Sequence, residues 1–129
     1  MTTAQARAIF QFRTPALVFR QNSLAGNFVL RHNTRIVKIL AVSDEVVERL
    51  YSLCTNGHFS DIELILGCGD LPYPYLENLV TFLNVPLLYV PGNHDPNYNP
   101  ENILAHVEGG SNLDLKLTRY KKFLVGGFG

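Results

Sequence analysis

Val90-Pro91-Gly92-Asn93-His94-Asp95 is the stretch on which the reading of this chain turns. Val85-Pro86-Leu87-Leu88-Tyr89 precedes it, a short apolar run of the kind that forms a buried strand. Pro91-Gly92 ends the run and turns the chain. An amide, an imidazole and a carboxylate then stand together just past the strand's carboxyl end, where ligands bind in open α/β sheets. Asn, Asp and Gly are also ordinary turn residues, and six residues alone leave that plainer reading in competition. Two further strand ends upstream decide between them.

The nearer one follows Ile62-Glu63-Leu64-Ile65-Leu66, which opens into Gly67-Cys68-Gly69-Asp70. The other follows Ile36-Val37-Lys38-Ile39-Leu40-Ala41-Val42, β-branched and almost wholly apolar, like a strand covered on both faces. It runs into Ser43-Asp44. Each strand is followed by a helical pattern. In the first, Ser43 or Asp44 serves as N-cap with acids in the opening turn. Val46 or Val47, Leu50, Leu53 and Cys54 line its apolar face, and Gly57 ends it. The second runs from about Tyr75 to Leu83, with Leu76, Leu79, Val80 and Leu83 on one face. Strand, helix, strand, helix, strand at this spacing predicts two βαβ units and a parallel sheet, an α/β fold.

Beyond Asp95 the pattern changes. A polar loop spans 96–100, and a short helical turn is expected around Ile103, Leu104, His106 and Val107. Gly109-Gly110-Ser111-Asn112 reads as a break. Leu113-Asp114-Leu115-Lys116-Leu117 alternates as a half-exposed strand does. Tyr120-Lys121-Lys122 is a turn, and Phe123-Leu124-Val125 a last strand. Residues 1–35 read as an N-terminal arm or extension. It holds a short strand candidate at Phe28-Val29-Leu30, and firm order is expected from Ile36.

Composition narrows the functions open to the chain. Its 129 residues suffice for one modest domain, and 47% apolar content for a real core. The formal net charge is zero, with no general bias toward nucleic acid or membrane. Basic residues nonetheless dominate residues 1–43, which hold Arg7, Arg13, Arg20, Arg31, Arg35 and Lys38 and no acid. That composition is shared by mitochondrial transit peptides and by plain basic arms, and the arm is the preferred reading. It lacks the aromatic interleaving of a single-strand-binding platform. Cys54 and Cys68 have no C-x-x-C spacing and sit in apolar surroundings, which favours free thiols and a cytoplasmic location. No apolar run nears the roughly 20 residues of a bilayer span.

Three successive strands thus deliver Asp44, Asp70 and Asn93 at their carboxyl ends. In a parallel sheet these ends share an edge, so three oxygen donors converge there. Carboxylate and amide oxygens suit Mn, Mg or Fe. One carboxylate can bridge two cations, and such a pair can clamp a phosphate and activate water. A single Asp after a strand is more often a helix cap; three in series are harder to explain that way.

Ser43-Asp44, Gly69-Asp70 and Gly92-Asn93-His94-Asp95 resemble, in order and spacing, the first three motifs of the calcineurin-like metallophosphoesterases. The resemblance covers residues 36–129, and Phe123 to Gly129 is similar to the glycine-rich strand of bacterial members. It implies a two-sheet α/β sandwich, of which this chain carries the N-terminal portion, and hydrolysis of phosphomono- or phosphodiesters. It implies two divalent ions (Mn first, or Fe, Mg or Zn), with Asp44 on one, Asp70 bridging both and Asn93 on the second. It implies that His94 contacts phosphate and protonates the leaving oxygen. The chain departs from the family in two respects. Val46 stands where the first motif usually has His, and the later histidine motifs are absent. His106 lies in no matching context, and His32 and His58 lie outside the motifs. These departures keep a second expectation open, a non-catalytic binding or scaffolding module. They also predict a domain that continues past Gly129. If it does not continue, a second copy of the chain is expected to cover an open sheet face. Tyr73, Tyr75 and Tyr98 are candidates for stacking on a substrate ring, with packing the plainer role for each.

Overall fold

The structure, a computed structural model, describes residues 26–32, 35–95, 101 and 105–129. Its elements in chain order are β1 (Gly26–His32), β2 (Arg35–Val42), α1 (Arg49–Thr55), β3 (Leu64–Cys68), α2 (Tyr73–Leu83), β4 (Leu87–Val90), β5 (Gly110–Asn112), β6 (Lys116–Tyr120) and β7 (Phe123–Gly127). The main sheet has the order β1-β2-β3-β4-β5, and β6 and β7 form a separate two-stranded sheet. β2 to β5 run parallel, with Ile39 beside Leu64, Ile65 beside Leu87 and Leu87 beside Gly110. The fold is therefore mixed α/β, as the strand–helix alternation requires.

Alternation along the central strands feeds two cores. Leu40 and Val42 of β2, Ile65 of β3, and Leu87 and Tyr89 of β4 pack with Leu50, Leu76 and Leu79 of the helices. Val37 and Ile39, Leu64 and Leu66, and Leu88 and Val90 pack on the opposite face with Leu113, Phe123 and Val125. Burial on both faces accounts for the nearly unbroken apolar runs of these strands. The face that an isolated last strand would have left open carries the β6–β7 hairpin, and β6 is the antiparallel neighbour that β7 needs.

Several local expectations are corrected. The first helix starts at Arg49, not at Ser43 or Asp44, and no acid lies in its first turn. Asp44 has φ 65°, a left-handed value that neither a helix nor its N-cap uses. The residue at the N-cap is Glu48, with no side-chain capping bond. The helix ends as expected near Gly57 (φ 75°). The Gly57 N–H donates to Cys54 O, and the His58 N–H to Leu53 O. That pair of bonds is a Schellman ending. The second helix starts at Tyr73, with a proline in its first turn where no N–H is needed.

Gly110–Asn112 is a strand, not a break. A Cβ on Gly110 would lie 2.9 Å from Leu87 Cδ2 and 3.2 Å from Tyr89 Cδ1, so the glycine is what lets this strand lie against its large neighbours. The alternation of Leu113, Leu115 and Leu117 does not mark one strand. Leu113 is buried under the sheet with its N–H on Tyr89 O, Leu115 turns the chain with φ 53°, and β6 starts at Lys116. Order also precedes Ile36, because β1 pairs antiparallel with β2 from Gly26 opposite Ala41 to His32 opposite Arg35. The rest of the N-terminal arm, the 96–100 loop and the expected helical turn at Ile103 and Leu104 lie outside the described residues. No helix among the described residues is long and apolar enough to cross a membrane.

Candidate functional site

β2, β3 and β4 are adjacent and parallel, so their carboxyl ends form one edge of the sheet. Asp44, Asp70 and Asn93 each follow one of these ends, in the order read from the sequence. Asp44 and Asn93 are exposed and Asp70 is half-buried.

Three exit loops are laced together at this edge. The Asp44 N–H donates to Gly69 O at 3.3 Å, joining the loop after β2 to that after β3. The His94 N–H donates to Asp70 Oδ1 at 2.9 Å, joining the loop after β3 to that after β4. Asp44 and Asp70 (φ 58°) are both left-handed, a conformation that a short polar side chain tolerates better than most. The β3 and β4 loops also meet without space to spare. A Cβ on Gly92 would stand 2.2 Å from Asp70 Oδ1 and 2.5 Å from Asp70 N, far inside any real contact. Glycine is therefore required for the approach itself.

Beneath this surface lies Asp95, the one buried charged side chain among the described residues. Its Oδ1 accepts the Leu71 N–H and its Oδ2 the Gly92 N–H, each at 3.0 Å. The Asp70 backbone N–H also favours its charged form. Burial pushes the Asp95 carboxyl above the usual carboxylate range and the charge of Asp70 acts the same way, while the three N–H donors pull it back. Nearby, burial and then the charge of Asp44 push the Cys68 thiol up to about 12. Neither Asp95 nor Cys68 was assigned a role from the sequence. Asp95 stood in plain view as the last residue of its motif, but only the three-dimensional contacts reveal what it holds.

Asp44, Asp70 and Asn93 fit a hard divalent cation in donor type, since carboxylate and amide oxygens are the ligands such ions take. Asp70 Oδ1 is spoken for by the His94 amide, which orients the carboxylate. Three protein oxygens fall short of the roughly six that such ions prefer, so water completes the shell. No three His, Cys, Asp or Glu side chains gather into a metal-holding group among the described residues. The expected set contains two residues of those types and an amide. Val46, where the resemblance has histidine, is exposed and offers no donor atom. The His94 imidazole is exposed beside Asn93. Comparison of the chain with protein-family models, curated proteins and solved structures finds no match.

Proposed function

We propose that this sheet edge is the working site of a metal-dependent phosphoesterase that hydrolyses phosphomono- or phosphodiesters at a binuclear centre. The observation that carries the reading is the lacing of strand-end loops, in which Asp70 is oriented by the backbone of the residue proposed to meet the phosphate. In this reading Asp44, Asp70 and Asn93 would hold two divalent cations, Asp44 serving one, Asn93 the other and Asp70 both. Bound divalent cations, with Mn²⁺ the first choice, would supply Lewis-acid polarisation of a phosphoryl oxygen and lower the pKa of water. His94 would donate to the phosphate and give its proton to the leaving oxygen as the ester P–O bond breaks; the water oxygen takes that place on phosphorus and its released proton passes to solvent. The free thiols of Cys54 and Cys68 fit a reducing compartment such as the cytoplasm. A second reading, a non-catalytic binding or scaffolding module, is favoured by Val46, which cannot supply the first motif's usual ligand.

The test is turnover of p-nitrophenyl phosphate and bis(p-nitrophenyl) phosphate by the purified chain, with and without added Mn²⁺. Because the chain carries only the first three motifs, weak turnover that depends on Mn²⁺ and is abolished by Asp70→Asn is the expected result. His94→Ala is expected to lower kcat by about 100-fold while bound Mn²⁺ is retained. Mn²⁺ uptake without turnover supports the scaffolding module. Neither uptake nor turnover overturns the metal site altogether.

A further inference from the structure

We propose that Asp95 is the positioning residue of this site: its buried carboxylate takes the N–H groups of Leu71 and Gly92, ties the two loops that carry them, and so presets the Asp70 carboxylate for a divalent cation. The inference rests on the metal-site reading above, but it assigns a role to a residue that contributes no ligand to that reading. Two backbone donors, one on each oxygen, require an acceptor with lone pairs on two oxygens and no hydrogen of its own, and among side chains only a carboxylate meets that requirement. Asparagine, almost the same shape, would turn an NH₂ group toward either Leu71 or Gly92 and leave a buried donor facing a donor.

The position of the two donors gives the carboxylate its leverage. Leu71 belongs to the exit loop of β3, and Gly92 to that of β4. One side chain therefore ties two loops, and the N–H it takes from Leu71 belongs to the peptide that follows Asp70, the residue held at φ 58°. Above it, Asp70 Oδ1 takes the His94 N–H, and Gly92 leaves no room for either loop to slide past the other. Among the described residues no Lys or Arg pairs with Asp95, so its charge is balanced by backbone dipoles. Asp95 thus stands one step behind the candidate ligands. A partner behind a metal ligand is worth about 10- to 100-fold in metal affinity.

Two measurements on the purified chain test this. In the first, Mn²⁺ is titrated into wild type, Asp95→Asn and His94→Ala, and free Mn²⁺ is read by electron paramagnetic resonance below each protein's melting temperature. Asp95→Asn is expected to weaken Mn²⁺ binding by about 10- to 100-fold, with His94→Ala close to wild type. A purely structural carboxylate would lower the melting temperature and leave the affinity of the folded protein unchanged, which would overturn the proposal. Absence of Mn²⁺ uptake by the wild type would instead overturn the metal-site reading, and the role of Asp95 with it. The second measurement holds even if the variant does not fold. Amide hydrogen exchange at Leu71 and Gly92 is followed in the wild type without metal and with Mn²⁺. A preset site shows slow exchange of both amides before metal is added. Fast exchange that slows only with Mn²⁺ would mean that the ion, not Asp95, orders the loops.

Discussion

Both the strand-end edge and the approach to the hairpin hold non-glycine residues in the left-handed region, and they do so in different chemical terms. At the edge these are Asp44 and Asp70; at the hairpin they are Leu115 and Lys121. Aspartate tolerates the conformation better than most residues because its side chain is short and polar, and the Asp70 carboxylate is held from the next loop by the His94 N–H. Leucine has no such compensation, and a non-glycine residue held there costs on the order of 1–3 kcal/mol. Leu115 is also 75% exposed, so burial does not offset that cost. What holds it there is its own N–H on Gly127 O, with a bond on either side: the Leu113 N–H to Tyr89 O, and the Lys116 N–H to Leu113 O. At the edge residue type and backbone shape agree; at the hairpin backbone hydrogen bonds impose the shape on a residue that resists it.

The comparison breaks most easily at glycine. Gly92→Ala should cost about 3 kcal/mol in urea unfolding, because its Cβ would meet the Asp70 backbone and carboxyl with nowhere to go. Gly126→Ala should fall within about 0.5 kcal/mol of wild type, since its Cβ meets only the tip of the exposed Leu117 at 3.3 Å. Equal costs at the two sites would mean that the β3 and β4 loops are not wedged together.

A smaller effect sharpens the contrast in strain. Leu115→Gly should stabilise the fold by about 1 kcal/mol, the relief of the left-handed conformation less the greater entropy of an unfolded glycine. Asp44→Gly relieves the same dihedral but should gain less, and it should weaken Mn²⁺ binding. A larger gain at Asp44 than at Leu115, with Mn²⁺ binding intact, would make Asp44 a strained turn residue and nothing more.

The smallest effect is expected in alkali. Burial raises the Tyr75 and Tyr89 hydroxyls above their ordinary value of 10.0, and the bonds they accept from Val47 and Val107 N–H only partly offset this. The folded state therefore keeps these protons longer than the unfolded chain does. The resulting stability is complete below pH 10.0 and lost as pH rises from there through the folded values. Urea unfolding at stepped pH should show this decline in wild type and less of it in Tyr75→Phe. An identical decline in both would remove Tyr75 as a contributor.

The α/β class, the parallel order of the central strands and the carboxyl-end placement of Asp44, Asp70 and Asn93 were legible from residues 36–95. The reason is local: β-branched apolar runs, glycine and proline stops, and one-faced helical spacing each act within a few residues of chain. Where local signals were weak or divided, tertiary packing decided. It delayed the first helix to Arg49, because Asp44 must bend to place its N–H on Gly69 O. It made a strand of Gly110–Asn112, because the Leu87 and Tyr89 side chains leave room there for glycine alone. It also buried Asp95 beneath the candidate site, because one of the N–H groups it takes, that of Leu71, lies 24 residues earlier in the chain, in a different loop. A carboxylate's partners at that separation leave no periodic trace in sequence; they exist only once the β3 and β4 ends have been brought side by side.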